Sequence, residues 1–255
     1  MKSFLAELRK RNEQLYWFGW YNLVVGIVCV LLMQFDSQQI LGINRWIKPM
    51  KFFFSVWIMV WTMGWLLFYL ADRKKASVIS WLIILTMFIE NFLITMQACR
   101  GVTSHFNVKQ PMNAMVFSIM GIAILVFTFA IVYCEWLFFR QKEFAISSAY
   151  LWGIRLGILF FILFSLEAGL MLGRLSHTVG GPDGGPGLPL VNWSTKYGDL
   201  RIAHFLGLHS LQILPLAGYY LFKKTGSLII FSTFYFLVVA AILIVALKGL
   251  PLYVA

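Results

Sequence analysis

The chain is built from uninterrupted apolar runs, each close to the ~20 residues that a helix needs to cross a bilayer. Residues 115–134 and 229–247 contain no charged side chain at all. These runs are continuously apolar rather than alternating, which excludes a membrane β-barrel. Lipid offers no hydrogen bonds to bare backbone, so helices remain. The expected fold class is therefore all-α, a polytopic transmembrane helix bundle. Seven spans are expected, at about 16–35, 52–70, 77–98, 115–139, 148–173, 202–222 and 227–247. No soluble domain or internal repeat stands out, so residues 1–255 read as a single transmembrane domain.

Composition supports this class. Hydrophobic residues make up 60% of the chain and charged residues 12%, against about 25% charged in soluble domains. The net charge of +11 would point to nucleic acid in a soluble protein. Here Lys and Arg flank the spans, and no nucleic-acid role is expected. Cys29, Cys99 and Cys134 are far apart and form no CxxC or disulfide framework. Residues 1–15, with Lys2, Arg9, Lys10 and Arg11 among Phe4, Leu5, Leu8 and Leu15, read as a basic amphipathic lead-in on the membrane surface. They do not resemble a cleavable signal.

The cations fix an expected topology. Arg73, Lys74, Lys75, Arg140, Lys142, Lys223 and Lys224 crowd short loops on the face of the N-terminus. The opposite face spreads its cations over much longer loops. The positive-inside rule then places the N-terminus in the cytoplasm and the C-terminus outside.

Ionisable residues inside a span are costly and tend to be functional or paired. Thr86, Glu90, Gln97 and Arg100 fall on one face of the third span. Glu167 and Arg174 share a face of the fifth, and Arg201, His204, His209 and Gln212 lie within one arc of the sixth. A rise of ~1.5 Å per residue puts Glu90 about 12 Å and Glu167 about 9 Å below the outer ends of their helices. If the stripes converge they make one outward-facing polar pocket, rimmed by Lys48, Lys51, Arg100, Arg174 and Arg201.

Several chemistries suit such a pocket. His204, His209, Glu90 and Glu167 are candidate ligands of a transition metal. His204 or His209, with His105 or His177 from a loop, are candidate axial ligands of a haem. Either cofactor would imply a redox or sensing role, and in the redox case a membrane oxidoreductase. Spacing opposes the simplest metal site, because His204 and His209 stand about 140° apart on a regular helix. The competing reading is a cofactor-free binding or transport protein for an anionic or amphipathic small molecule. Lys48, Lys51, Arg100, Gln97, Arg174, Arg201 and Gln212 would then be the substrate-binding residues. A third reading makes the polar groups pairing partners, within the chain or with another subunit of an oligomer or membrane complex. The Gly/Pro-rich residues 180–187 serve either as a plain connection or as a flexible lid; they match no phosphate-binding loop. No catalytic nucleophile motif is present.

Three segments carry a resemblance: residues 45–51 (RWIKPMK), 100–107 (RGVTSHFN) and 198–209 (GDLRIAHFLGLH). They are similar to those of uncharacterised bacterial multi-pass membrane proteins. That resemblance implies a bacterial cytoplasmic membrane and no particular activity. The paired-histidine pattern of the adiponectin-receptor and alkaline-ceramidase hydrolases is not reproduced by His204 and His209. The retinal lysine of microbial rhodopsins has no counterpart within the last span, where Lys248 stands only at the end.

Overall fold

The computed structural model describes residues 4–253. Lys2 of the lead-in lies outside them. The described chain is all-α apart from two minimal two-stranded ladders and one isolated bridge. Contacts divide it into two compact units, up to Gln141 and from Lys142 onward.

In the first unit a short amphipathic helix α1 (Phe4–Arg11) leads into α2 (Glu13–Phe35). The Asn12 side chain caps α2 by accepting from Leu15 N–H at 3.0 Å, which satisfies one of the orphan donors of a helix start. A hairpin of β1 (Gln39–Ile40) and β2 (Ile43–Asn44) follows. Then come α3 (Ile47–Leu66), extended by one 3₁₀ turn to Tyr69, α4 (Arg73–Cys99) and α5 (Pro111–Arg140). Asp72 caps α4 through Lys75 N–H at 3.1 Å. Pro111 opens α5, where its missing N–H costs nothing.

α2 and α3 pack antiparallel through a register of small against large. A Cβ on Gly19 would fall 1.9 Å from Trp61 Nε1, and one on Gly26 would fall 2.8 Å from the Phe54 ring. Small residues thus let two bulky aromatic helices approach. Asn22 and Asn91 join α2 to α4 inside the apolar layer through a buried amide–amide hydrogen bond of 2.8 Å.

In the second unit α6 (Ser148–Arg174), capped by Ser147, is followed by a ladder of β3 (Thr178–Val179) with β4 (Gly198–Asp199). Next come α7 (Leu200–Leu208), α8 (Ser210–Leu216), a π-helical turn (Ala217–Leu221) and α9 (Thr225–Leu247). A core of Phe160, Phe164, Ala203, Leu214 and Val239 ties α6, α7, α8 and α9 together. Along α6, Gly153 and Gly157 pack against backbone of Leu214 and Ser210. Gly169 and Gly173 face open space instead.

Among the described residues, six helices are long and apolar enough to cross a bilayer: Glu13–Phe35, Ile47–Tyr69, Arg73–Cys99, Pro111–Arg140, Ser148–Arg174 and Thr225–Leu247. Lipid-facing aromatics and aliphatics such as Phe129 and Ile230 lie exposed along them. The seventh expected span, at 202–222, differs. It is helical but divided, interrupted at His209 and widened into the π turn after Pro215. Proline has no N–H and displaces the carbonyl one turn earlier, so a uniform helix cannot pass through it.

The 174–200 segment is folded onto its unit. Gly198 of β4 lies so close to the end of α9 that a Cβ there would stand 2.0 Å from Ala246 O. Replacing Gly198 with Ala should cost ~1–3 kcal/mol by overpacking, read as a lower thermal unfolding midpoint in detergent. Gly185→Ala, where a Cβ meets nothing within 4 Å, should leave the midpoint unchanged.

Candidate functional site

Each unit places a buried glutamate of a long helix beside a histidine, and the two arrangements differ in detail.

In the first unit the face of α4 formed by Thr86, Glu90 and Gln97 is buried, with Glu90 1% exposed. The chain reverses after α4 through Gly101, whose φ of 70° suits a residue without a Cβ. The following loop carries His105 back over the helix end. His105 Nε2 comes 3.6 Å from Glu90 Oε1. On the other side of the ring, Nδ1 lies 3.1 Å from Lys48 Nζ and 3.0 Å from Ser104 Oγ. Phe52, Phe106 and Phe117 surround the imidazole. A lysine ammonium only donates, so Nδ1 must be the accepting nitrogen. The proton of the neutral ring then sits on Nε2, facing Glu90. The second carboxylate oxygen, Glu90 Oε2, is buried with no hydrogen-bond partner.

A second polar cluster lies on the same helix end. Arg100 donates to Gln97 Oε1 at 2.5 Å and to Asn113 Oδ1 at 3.0 Å. Gln97 donates to Asn113 Oδ1 at 3.2 Å, and Asn113 donates to Gln110 at 3.1 Å. The preceding β1–β2 strap is held by Asp36, which accepts from Gln38 N–H, Trp46 Nε1–H and the Arg45 guanidinium. The Gln38 N–H, then Trp46 and Arg45, hold the Asp36 carboxyl below the usual carboxylate range.

In the second unit His204 of α7 turns its Nδ1 to Phe164 O at 2.7 Å and to Glu167 Oε2 at 3.2 Å. A carbonyl only accepts, so here Nδ1 carries the proton and Nε2 keeps its lone pair. The tautomer is opposite to that of His105. Glu167 is 7% exposed, and its Oε1 is buried without a partner. His209, the residue between α7 and α8, instead folds back on its own helix. Its Nδ1 bonds Phe205 O at 2.8 Å and its ring lies on Phe205 with centroids 4.2 Å apart.

Within each unit a different pair of the candidate residues meets: Glu90 with His105 in the first, and Glu167 with His204 in the second. Glu90 and Glu167 belong to different units, each with its own histidine. His204 and His209 serve different carbonyls, as a five-residue offset on a helix dictates. Among the described residues no group of three or more His, Cys, Asp or Glu is placed to hold a metal ion. His105 and His177, the loop histidines considered for haem, both engage through Nδ1 with neighbouring side chains.

The expected basic rim is largely committed within the protein. Lys48 is spent on His105 and Arg100 on the Gln97–Asn113 cluster. Arg201 donates to Asp199 at 2.9 and 2.5 Å and to Asn192 O at 2.5 Å. Lys51 sits one residue after Met50 in the first turns of α3, Arg174 in the last turn of α6 and Gln212 in α8. Sequence reasoning missed Ser104, Asn113 and the Asn22–Asn91 pair. Two asparagines within apolar runs were the legible signal for that pair.

The Gly/Pro-rich segment is tied rather than free. Asp183 accepts from Ser176 Oγ at 2.9 Å, His177 N–H at 3.1 Å, Thr178 N–H at 3.0 Å and Thr178 Oγ1 at 2.7 Å, and meets His177 Nδ1 at 2.9 Å. Burial opposes the charge of Asp183, but the bonds from His177 and Thr178 prevail and hold its carboxyl well below the usual range.

No family model, curated protein or solved structure matches the chain.

A depressed carboxyl contributes stability above its unfolded pKa of about 4 and loses it as pH falls toward the folded value. Hydrogen exchange in residues 176–183, corrected for intrinsic rates, should be slow at pH 6 and rise below about pH 4. Asp183→Asn should show the fast exchange already at pH 6. Equal exchange in both proteins at pH 6 would remove Asp183 as the anchor of this segment.

Proposed function

We propose that the protein is a cofactor-free, multi-pass membrane protein that exchanges protons at buried glutamate–histidine pairs, as proton-coupled transport or sensing requires. The observation that carries this reading is Glu90. It lies in a long apolar helix, 1% exposed, with His105 Nε2 3.6 Å from one oxygen and no partner on the other. A lone charged carboxylate in such a setting is expensive. A neighbouring imidazole, the side chain whose unperturbed titration lies closest to neutral pH, gives the pair two protonation states. In one, Glu90 is ionised beside an imidazolium. In the other, it is a carboxylic acid beside a neutral ring. In the second unit Glu167 lies 3.2 Å from His204 Nδ1.

Two observations favour this over the alternatives raised by the sequence. Among the described residues no group of three or more His, Cys, Asp or Glu is placed to hold a metal ion. An anionic solute at the rim would have to displace Lys48, Arg100 and Arg201 from bonds they already make. The proton reading needs neither a cofactor nor a vacant cation.

Wild-type protein in detergent, taken through a pH step between 8 and 5, should develop an infrared carbonyl band of a protonated carboxylic acid. In Glu90→Gln that band should shrink and proton uptake should fall. An unchanged band and uptake would exclude Glu90 as an exchange site.

The location we propose is a bacterial cytoplasmic membrane, with the N-terminus inside. With residues 200–221 crossing as a divided span, the chain makes seven crossings and its termini lie on opposite faces. A C-terminal alkaline phosphatase fusion should then be active. Activity of a cytoplasm-only reporter at that position, with an inactive phosphatase, would mean that this segment does not cross.

A further inference from the structure

We infer that Lys48 is the positioning residue of the Glu90 site, acting as a proton-operated latch: it occupies Nδ1 of neutral His105 and is released when that nitrogen gains a proton. This rests on the proposed proton exchange at Glu90 and names how that exchange is regulated.

The argument is one of donors and acceptors. Lys48 Nζ stands 3.1 Å from His105 Nδ1. An ammonium has three donors and no acceptor, and a neutral imidazole has one of each. The contact is favourable only while Nδ1 is unprotonated. An imidazolium would set N–H against N–H and cation against cation at that distance, which is repulsive on both counts. Lys48 is the second residue of α3 and is followed by Pro49, so its backbone is fixed while its four-carbon stem can swing. Something must then accept the new Nδ1–H. Ser104 Oγ, 3.0 Å from the same nitrogen and 3% exposed, can do so because a hydroxyl both donates and accepts.

The groups facing the ring account for the rest. Lys48 and Phe52 approach from α3, Glu90 from α4, Phe117 from α5, and Ser104 and Phe106 from its own loop. The protons balance in two steps. A hydronium ion from solvent gives a proton to Nδ1 and leaves as water, which makes an imidazolium and displaces Lys48 from that nitrogen. The Nε2–H bond then breaks, its electron pair stays on the ring, and that proton passes to the Glu90 carboxylate. His105 ends neutral with its proton on Nδ1, held by Ser104 instead of Lys48. The latch cannot re-form until the ring returns to its first tautomer, so Lys48 marks whether Glu90 is loaded.

The test is nitrogen NMR of the full chain with ¹⁵N-histidine, in bilayers, across pH. Wild-type His105 should be neutral at high pH with the proton on Nε2. Lys48→Met should raise the proton affinity of His105 about tenfold, one pH unit at its midpoint, and mix the two tautomers. Lys48→Arg should restore the wild-type tautomer, and Ser104→Ala should lower the midpoint. A wild-type ring protonated on Nδ1 at high pH would overturn the inference without any variant. So would a midpoint unmoved in Lys48→Met. A shifted midpoint together with an absent Glu90 infrared band would keep the latch and reject the Glu90 exchange. The reverse combination would keep the exchange and reject Lys48.

Discussion

The constraint on which the molecule depends is that an apolar medium gives nothing back to an unpaired polar group. Backbone groups meet it by helix formation, which is why nearly every long stretch of this chain is helical. Side chains meet it in two ways. Most are apolar and face outward. Several polar ones are buried and joined, as Asn22 is to Asn91, Arg100 to Gln97 and Asn113, and Ser210 to Gly157 O. Without a hydrophobic drive between helices, close packing does the remaining work. It does so at Gly19 and Gly26 on α2 and at Gly153 and Gly157 on α6.

Against that background the unpaired oxygens of Glu90 and Glu167 stand out. Every comparable carboxylate in the loops is fully engaged: Asp36 by Arg45 and Trp46, Asp183 by Ser176, His177 and Thr178, Asp199 by Arg201 and Ser194. Those aspartates organise backbone. The two glutamates organise nothing, and each instead meets one titratable ring. The opposite tautomers of the rings follow from what holds Nδ1: an ammonium beside His105, a carbonyl beside His204. Identical residue types are thus set to different proton positions by a single neighbour.

Much of this was legible in the chain. The all-α class followed from unbroken apolar runs, and Glu90, Glu167, His105 and His204 were marked by their chemistry and depth. Their grouping was not. Helical periodicity reports which residues share a face of one helix, and it says nothing about which helix that face meets. Within each unit the structure sets one glutamate beside one histidine. The loop histidine His105, considered only for haem, became the partner of Glu90 because Gly101 turns the chain back over α4. The cations of the rim looked available because charge is visible in sequence and its compensation by Gln97, Asn113 or a loop carbonyl is not.

Sequence alone determined that the chain forms helices suited to a bilayer and which side chains would be costly there, because both depend only on local composition. Tertiary structure decided that residues 200–221 form a divided helix, since the effect of Pro215 depends on the packing of α6 around it. It also decided which histidine each glutamate meets and which nitrogen carries the proton. Those are contacts between residues far apart in the chain, fixed by distances of a few ångströms that no local pattern encodes.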